Sequence, residues 1–182
     1  MMTISSLARI ALIGLLCCGG FPAHAQEENA KRPENFISWR TGLSSAAQPS
    51  RDYLKQAKQQ KYDVVINLAP PQSWGSIENE GAIIGEQGLA YVNIPVDFAH
   101  PSLNDFELFS GMMRASSDKN VLVHCQANFR GSSFVFLYRV IYEKIPVQEA
   151  GAKLTSIWAP DVAWKKFIQE TLAQHGYKDE FL

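Results

Sequence analysis

Residues 120–133 read Asn-Val-Leu-Val-His-Cys-Gln-Ala-Asn-Phe-Arg-Gly-Ser-Ser. The run 120–124 is short, apolar and rich in β-branched residues, and it predicts a buried strand. The apolar stretch 132–143 that follows predicts a helix. Two upstream runs repeat the strand character. Residues 63–68, Asp-Val-Val-Ile-Asn-Leu, are closed by Pro70 and Pro71, and residues 90–94 stop at Pro95. Helices are expected at about 81–87 and 102–116, the second with Leu103, Phe106, Phe109 and Met113 inward, and later at 147–156 and 161–174, capped by Asp161. Further upstream, 38–43 reads as a short strand, 44–49 as a turn-rich stretch, and Ser50 as the cap of a helix to about residue 60. Strands that alternate with helices and read as continuous apolar runs imply an α/β fold. Its central sheet is mostly parallel, four- to five-stranded, with helices on both faces. Ligands of such sheets bind at the carboxyl ends of the strands, which is where Cys125 falls.

The remaining sequence bounds the setting. The chain has 182 residues, 46% of them apolar and 19% charged, with formal net charge −1. This composition suits one globular domain and excludes disordered, fibrous and disulfide-dense classes. The near-zero charge gives no reason to expect nucleic acid as a partner. Residues 1–25 read as a secretory signal peptide: Arg9, then the apolar run 10–21, then Ala23-His24-Ala25 as the cleavage site. That run is too short to span a bilayer, so no transmembrane span is expected after cleavage, and a periplasmic or secreted location follows. Residues 26–37 read as a flexible polar leader and 38–182 as a single domain. Of the three cysteines only Cys125 lies beyond residue 25. It has no partner for an internal disulfide and is either a small buried hydrophobe or a working thiol. The histidines are scattered and show no metal-ligand spacing, so neither metal nor cofactor is expected. Trp39, Trp74, Trp158 and Trp164 read as packing residues.

The chemistry lies in residues 123–133. Backbone N–H groups of a strand–loop–helix junction point into the loop and favour an anion. The same field lowers a cysteine below its free value of about 8.5, so Cys125 is expected as a thiolate near neutrality. Arg130 offers a planar fork that fits two phosphate oxygens. A thiolate inside an oxyanion cradle is equipped for displacement at phosphorus or sulfur.

Val-His-Cys-Gln-Ala-Asn-Phe-Arg-Gly-Ser-Ser resembles the signature loop of the protein tyrosine phosphatase superfamily, in its dual-specificity-like branch. The family motif is His-Cys, five residues, Arg, then Ser or Thr; here only four residues separate Cys125 from Arg130. A four-residue spacing also resembles a bacterial branch, the phosphatase-like domain of certain β-lactamase-fold hydrolases. Gln48-Pro49-Ser50 and Val65-Ile66-Asn67-Leu68 match phrases of that branch, and the resemblance covers about residues 38–143.

The resemblance implies a cysteine-dependent phosphatase acting on a phosphorylated substrate. Cys125 is then the nucleophile, Arg130 binds the transferring group, and an Asp some 30 residues earlier is the general acid. Asp97 stands at that place. Asp105 competes, but Ser102-x-x-Asp105 opens a helix as a capping-box-like pair and is explained structurally. Gln126, Ala127, Asn128, Phe129, Gly131 and Ser132 are expected around the phosphate, and His124 as an orienting group behind the loop. Either Ser132 or Ser133 is expected to assist departure of the thiolate. The four-residue spacing also fits a rhodanese-like sulfurtransferase carrying a persulfide on Cys125. Against that reading stand His124 before the cysteine and Asp97, which a rhodanese does not need. A module that binds phosphorylated ligands without turnover is a third reading. Oligomeric state is not legible.

Overall fold

The computed structural model describes residues 30–178. The signal peptide expected over 1–25 lies outside the described residues. Five strands are present: β1 (Ile37–Arg40), β2 (Leu43–Ala46), β3 (Val64–Asn67), β4 (Ala90–Asn93) and β5 (Val121–His124). The helices are α1 (Arg51–Lys55), α2 (Glu80–Gly85), α3 (Leu103–Ala115), α4 (Phe129–Ile141), α5 (Val147–Thr155) and α6 (Val162–Gln174). The sheet order is β1-β2-β5-β3-β4. β1 runs antiparallel to β2, and every other pairing is parallel. The register places Ala46, His124, Asn67 and Asn93 in one row across the carboxyl end of the four parallel strands.

Alternation along the strands builds two cores. Val64, Ile66, Val121 and Val123 join Phe106, Phe109, Phe134 and Ile168, which come from α3, α4 and α6. Ala46, Val65 and Leu122 face the other way and meet Tyr53, Leu54, Ile83 and Ile84 of α1 and α2. Helices therefore cover both faces, as the sequence predicts. α4 is buried from Arg130 through Ile141. That suits a helix apolar nearly all round, wedged between the sheet and its neighbours. Among the described residues, no helix is long and apolar enough to cross a membrane.

Several expectations need correction. Residues 44–49 are not simply a turn, because β2 occupies Leu43–Ala46 and all four residues are buried. Its serines are satisfied inside: Ser45 Oγ accepts from Trp39 Nε1 at 2.9 Å, and Ser44 Oγ lies 3.0 Å from the Tyr62 hydroxyl. Lying between β1 and β5, β2 is held by pairing rather than by its own hydrophobicity. β4 is an edge strand and only partly buried. α1 ends at Lys55 rather than near residue 60, and the chain continues in turns to Lys61 at φ 66°. α4 begins at Phe129, three residues before the expected start.

The described part of the expected leader is bonded to the body. Ala47 N–H donates to Glu34 O (2.9 Å), Ala30 N–H to Gln56 Oε1 (3.0 Å), and Asn35 Nδ2 to Ala127 O (3.0 Å).

Candidate active site

Cys125 follows directly on β5, and Asn128 caps α4. The turn between them is tight because Asn128 adopts the left-handed conformation, φ 66° and ψ 9°, which Asn tolerates better than most residues. Two neighbours stabilise it. Asn128 Nδ2 donates to Asn35 O at 2.6 Å, and Asn128 Oδ1 faces Gly131, where an added Cβ would lie 2.6 Å from it. A larger residue at 131 would displace the Asn128 side chain, which accounts for glycine after Arg130. The loop is also pinned from β2: Cys125 N–H donates to Ala46 O at 3.4 Å, and Gln48 N–H donates to Gln126 O at 3.1 Å. Cys125 is 1% exposed and free of any disulfide.

Arg130 sits in the first turn of α4 and is 6% exposed. Its Nε donates to Val96 O at 3.0 Å, and its guanidinium lies 5.1 Å from the Phe98 ring centre. Val96 and Phe98 flank Asp97, so Arg130 bridges the loop after β5 and the loop after β4. The Asp97 side chain itself turns into its own loop. Its Oδ1 accepts from Ala99 N–H and its Oδ2 lies beside His100 Nδ1, both at 2.9 Å. The His100 contact, and after it the Ala99 amide, hold the Asp97 carboxyl below the usual carboxylate range. Asp105 has the capping role expected of it, its N–H donating to Ser102 Oγ and its Oδ2 accepting from the same hydroxyl.

Behind the loop is an arrangement the sequence did not announce. His124 is fully buried, and its Nε2 lies 2.6 Å from Oε1 of Glu80, which is itself 5% exposed. The contact is short but does not have hydrogen-bond geometry, and neither atom has another hydrogen-bond partner. Glu80 Oε2 accepts from Gln48 Nε2 at 3.0 Å. Burial, with the Glu80 carboxylate nearby, pushes the Tyr91 phenol up to about 12, and Asn67 Nδ2 donates to the Tyr91 hydroxyl at 3.2 Å. Glu80 begins a short helix after a polar loop, so nothing local marked it as buried. The signal was the unexplained polar His124 at the end of a wholly apolar strand.

A cavity of about 400 Å³ opens over the loop, lined by Cys125, Gln126, Ala127, Phe129, Arg130, Trp74 and Phe98. The structure thus gathers the expected nucleophile, the expected phosphate ligand and three of the six loop residues. Asn128, Gly131 and Ser132 do not line it. The Asn128 side chain is spent on Asn35, and Ser132 Oγ donates to Phe129 O at 3.3 Å. Ser133 Oγ is buried without a partner. Asp97 stands at the rim, not among the lining residues. Trp74, read from sequence as a packing residue, is 89% exposed. Its loop is tied to the site where Gln126 Nε2 donates to Trp74 O at 2.9 Å. Phe129 stacks on Trp158, ring centres 4.5 Å apart and nearly parallel. Among the described residues, no group of three or more His, Cys, Asp or Glu side chains is placed to hold a metal ion.

No family model matches this chain. No curated protein matches it either. Solved structures do. The "Putative phosphatase (DUF442)" of Shewanella putrefaciens CN-32 is 32% identical with a TM-score of 0.73, over 80% of this chain and 95% of that one. The catalytic core of the PP-IP phosphatase SIW14 from S. cerevisiae shares the fold at 10% identity and a TM-score of 0.64, over 83% of this chain and 98% of that one. PTPMT1, solved with PI(5)P, does so at 15% identity and 0.66, over 78% of this chain and 97% of that one. The likenesses to SIW14 and PTPMT1 show the fold of protein tyrosine phosphatase superfamily members, and the 32% identity over 95% of the Shewanella structure shows that this chain belongs to the DUF442 family.

Proposed function

We propose that the protein is an exported phosphatase, periplasmic or secreted, that hydrolyses phosphate monoesters through a cysteinyl-phosphate intermediate. The observation that carries the reading is the shared cavity of Cys125 and Arg130 at the N-terminus of α4. The Cys125 thiolate attacks phosphorus and the bond to the ester oxygen breaks, while Asp97 gives that oxygen its proton. Water then attacks the cysteinyl phosphate with Asp97 as base, and the thiolate departs. With Arg130 Nε on Val96 O, the two Nη groups remain for the phosphoryl oxygens, beside the loop amides. For Asp97 to act, its side chain turns away from His100 towards the cavity that Phe98 already lines.

The walls narrow the substrate. Trp74, Phe98 and Phe129 come from three separate segments, and Arg130 is the one cation among the lining residues. Such a site favours an ester with a single phosphate on an apolar group, such as phosphotyrosine or a small or lipid phosphate. A multiply phosphorylated head group would need more positive charge.

The test is p-nitrophenyl phosphate hydrolysis by the reduced protein beside Cys125→Ser. Turnover in the first and none in the second is expected, with vanadate bound by both. Turnover that survives in Cys125→Ser overturns the reading. So does absence of turnover with the thiol titrated as free, and sulfur transfer from thiosulfate to cyanide is then measured.

A further inference from the structure

We propose that Glu80 is a positioning residue for the nucleophile: its buried carboxylate forms an ion pair with His124 and thereby sets the pH range in which Cys125 reacts. The inference rests on Cys125 being the nucleophile of the proposed phosphatase, and it adds a residue that the signature loop does not contain.

Burial makes the pair consequential. A carboxylate 5% exposed is kept in a fold by an opposite charge and by donors that satisfy its oxygens. At Glu80, Gln48 donates to Oε2, and Oε1 has no hydrogen-bond partner but lies 2.6 Å from His124 Nε2, which a proton on that ring would answer. The partners converge from separate elements: Gln48 from the β2–α1 connection, Glu80 from the start of α2, Tyr91 from β4 and His124 from the end of β5. Asn67 of β3 fixes the Tyr91 hydroxyl. Gln48 and Asn67 belong to the two short phrases singled out in the sequence outside the loop, and both converge on Glu80. Gln48 also donates its backbone N–H to Gln126 O, so one residue holds the carboxylate and the catalytic loop together.

The direction of the pair follows from the atoms in contact. Glu80 meets Nε2, the ring nitrogen farther from the main chain. The imidazole therefore stands between the carboxylate and the strand that leads into Cys125. A proton that the carboxylate holds on this ring would then sit nearer to the main chain of residue 124 than the compensating negative charge does. That order favours a thiolate at residue 125. The other titratable groups around the pair and the cysteine are Tyr91 from β4, Glu78, which lines one cavity with Glu80 and Tyr91, and Arg130 from α4, which lines another with Cys125, while β2 and β3 present Ala46, Asn67 and Leu68, none charged.

Iodoacetamide alkylation of Cys125 in the full, reduced chain, followed against pH, tests the proposal without requiring turnover. Glu80→Gln and His124→Gln are each expected to raise the midpoint by about one pH unit. The double variant is expected to shift no further than either single one, since both remove the same pair. The acid limb of kcat/KM moves in the same direction. Gln48→Ala keeps the pair but removes one donor to Glu80, and it is expected to give a smaller shift of the same sign. It decides the matter if Glu80→Gln does not fold. An unmoved midpoint in a folded Glu80→Gln protein, or additive shifts in the double variant, overturns the proposal. A moved midpoint without p-nitrophenyl phosphate turnover would sink the phosphatase reading and leave the pairing intact; Cys125-dependent turnover with an unmoved midpoint would do the reverse.

Discussion

The loop after β5, which carries Cys125, and the loop after β4, which carries Asp97, differ in how their side chains are held. Cys125, Asn128 and Arg130 are at most 6% exposed, and the loop is tied to β2, to the Asn35 segment and to the Trp74 loop. Asp97 and His100 have side chains 63% and 83% exposed and are bonded chiefly to each other and to their own turn. One loop is arranged by folding, so on the proposed mechanism its dipoles are already aimed before any substrate arrives. The other keeps its carboxylate in water, ionised, until something draws it in. The lesson is a division of labour. On the proposed mechanism, charge stabilisation belongs to the buried loop and proton delivery to an exposed side chain.

Arg130 joins the two loops, so its replacement tests the comparison most severely. Arg130→Lys removes both the planar fork and the bond to Val96 O. Its kcat/KM for p-nitrophenyl phosphate is expected to fall by about 10²–10³, the scale of losing a key transition-state donor. If free guanidinium restores much of the rate, the fork is the dominant part; if it does not, the tether to the Val96 carbonyl matters as much.

Asp97→Asn probes the loop after β4 alone. A loss of about 10² is expected for phenyl phosphate, and a smaller one for p-nitrophenyl phosphate, whose leaving group needs less help. A uniform loss across leaving groups would assign Asp97 to loop shape rather than proton delivery.

His100→Ala is the mildest. The Asp97 carboxyl, now held below its ordinary value, should titrate closer to 3.8 in the variant, as followed by carboxyl NMR. A depressed carboxyl contributes stability above its unfolded value and loses it as pH falls through the folded value. Wild type should therefore melt slightly above the variant at pH 6 and together with it in strong acid. A variant that melts alike at both pH values would show that the contact contributes nothing to stability in water.

Most of the fold was legible because apolar runs report burial directly. Val64–Asn67 and Val121–His124 could hardly be anything but central strands. β2 was not legible, since Leu-Ser-Ser-Ala carries no apolar signal, and its place follows from the tryptophan and tyrosine that satisfy its hydroxyls. The start of α4 was missed because Asn-Phe-Arg-Gly reads as loop until the left-handed Asn128 is seen to close it. In the candidate site, the local residues from Cys125 to Arg130 were readable from their order. Glu80 was not, because it meets His124 across 44 residues of chain, and a sequence window sees only a carboxylate after a polar loop. Trp74 was read as core or surface packing, and only the tertiary structure shows it in solvent, lining one cavity with the cysteine.

The bonds between Asn35 and the catalytic loop give the start of the domain an unexpected weight. Asn35 donates to Ala127 O and accepts from Asn128 Nδ2, so a strut of the phosphate cradle lies before the first strand. A protease that trimmed the chain past this residue would leave every strand and helix in place while loosening the turn that sets the cradle. A stretch that reads as spacer in the sequence is thus a brace for the loop that follows β5.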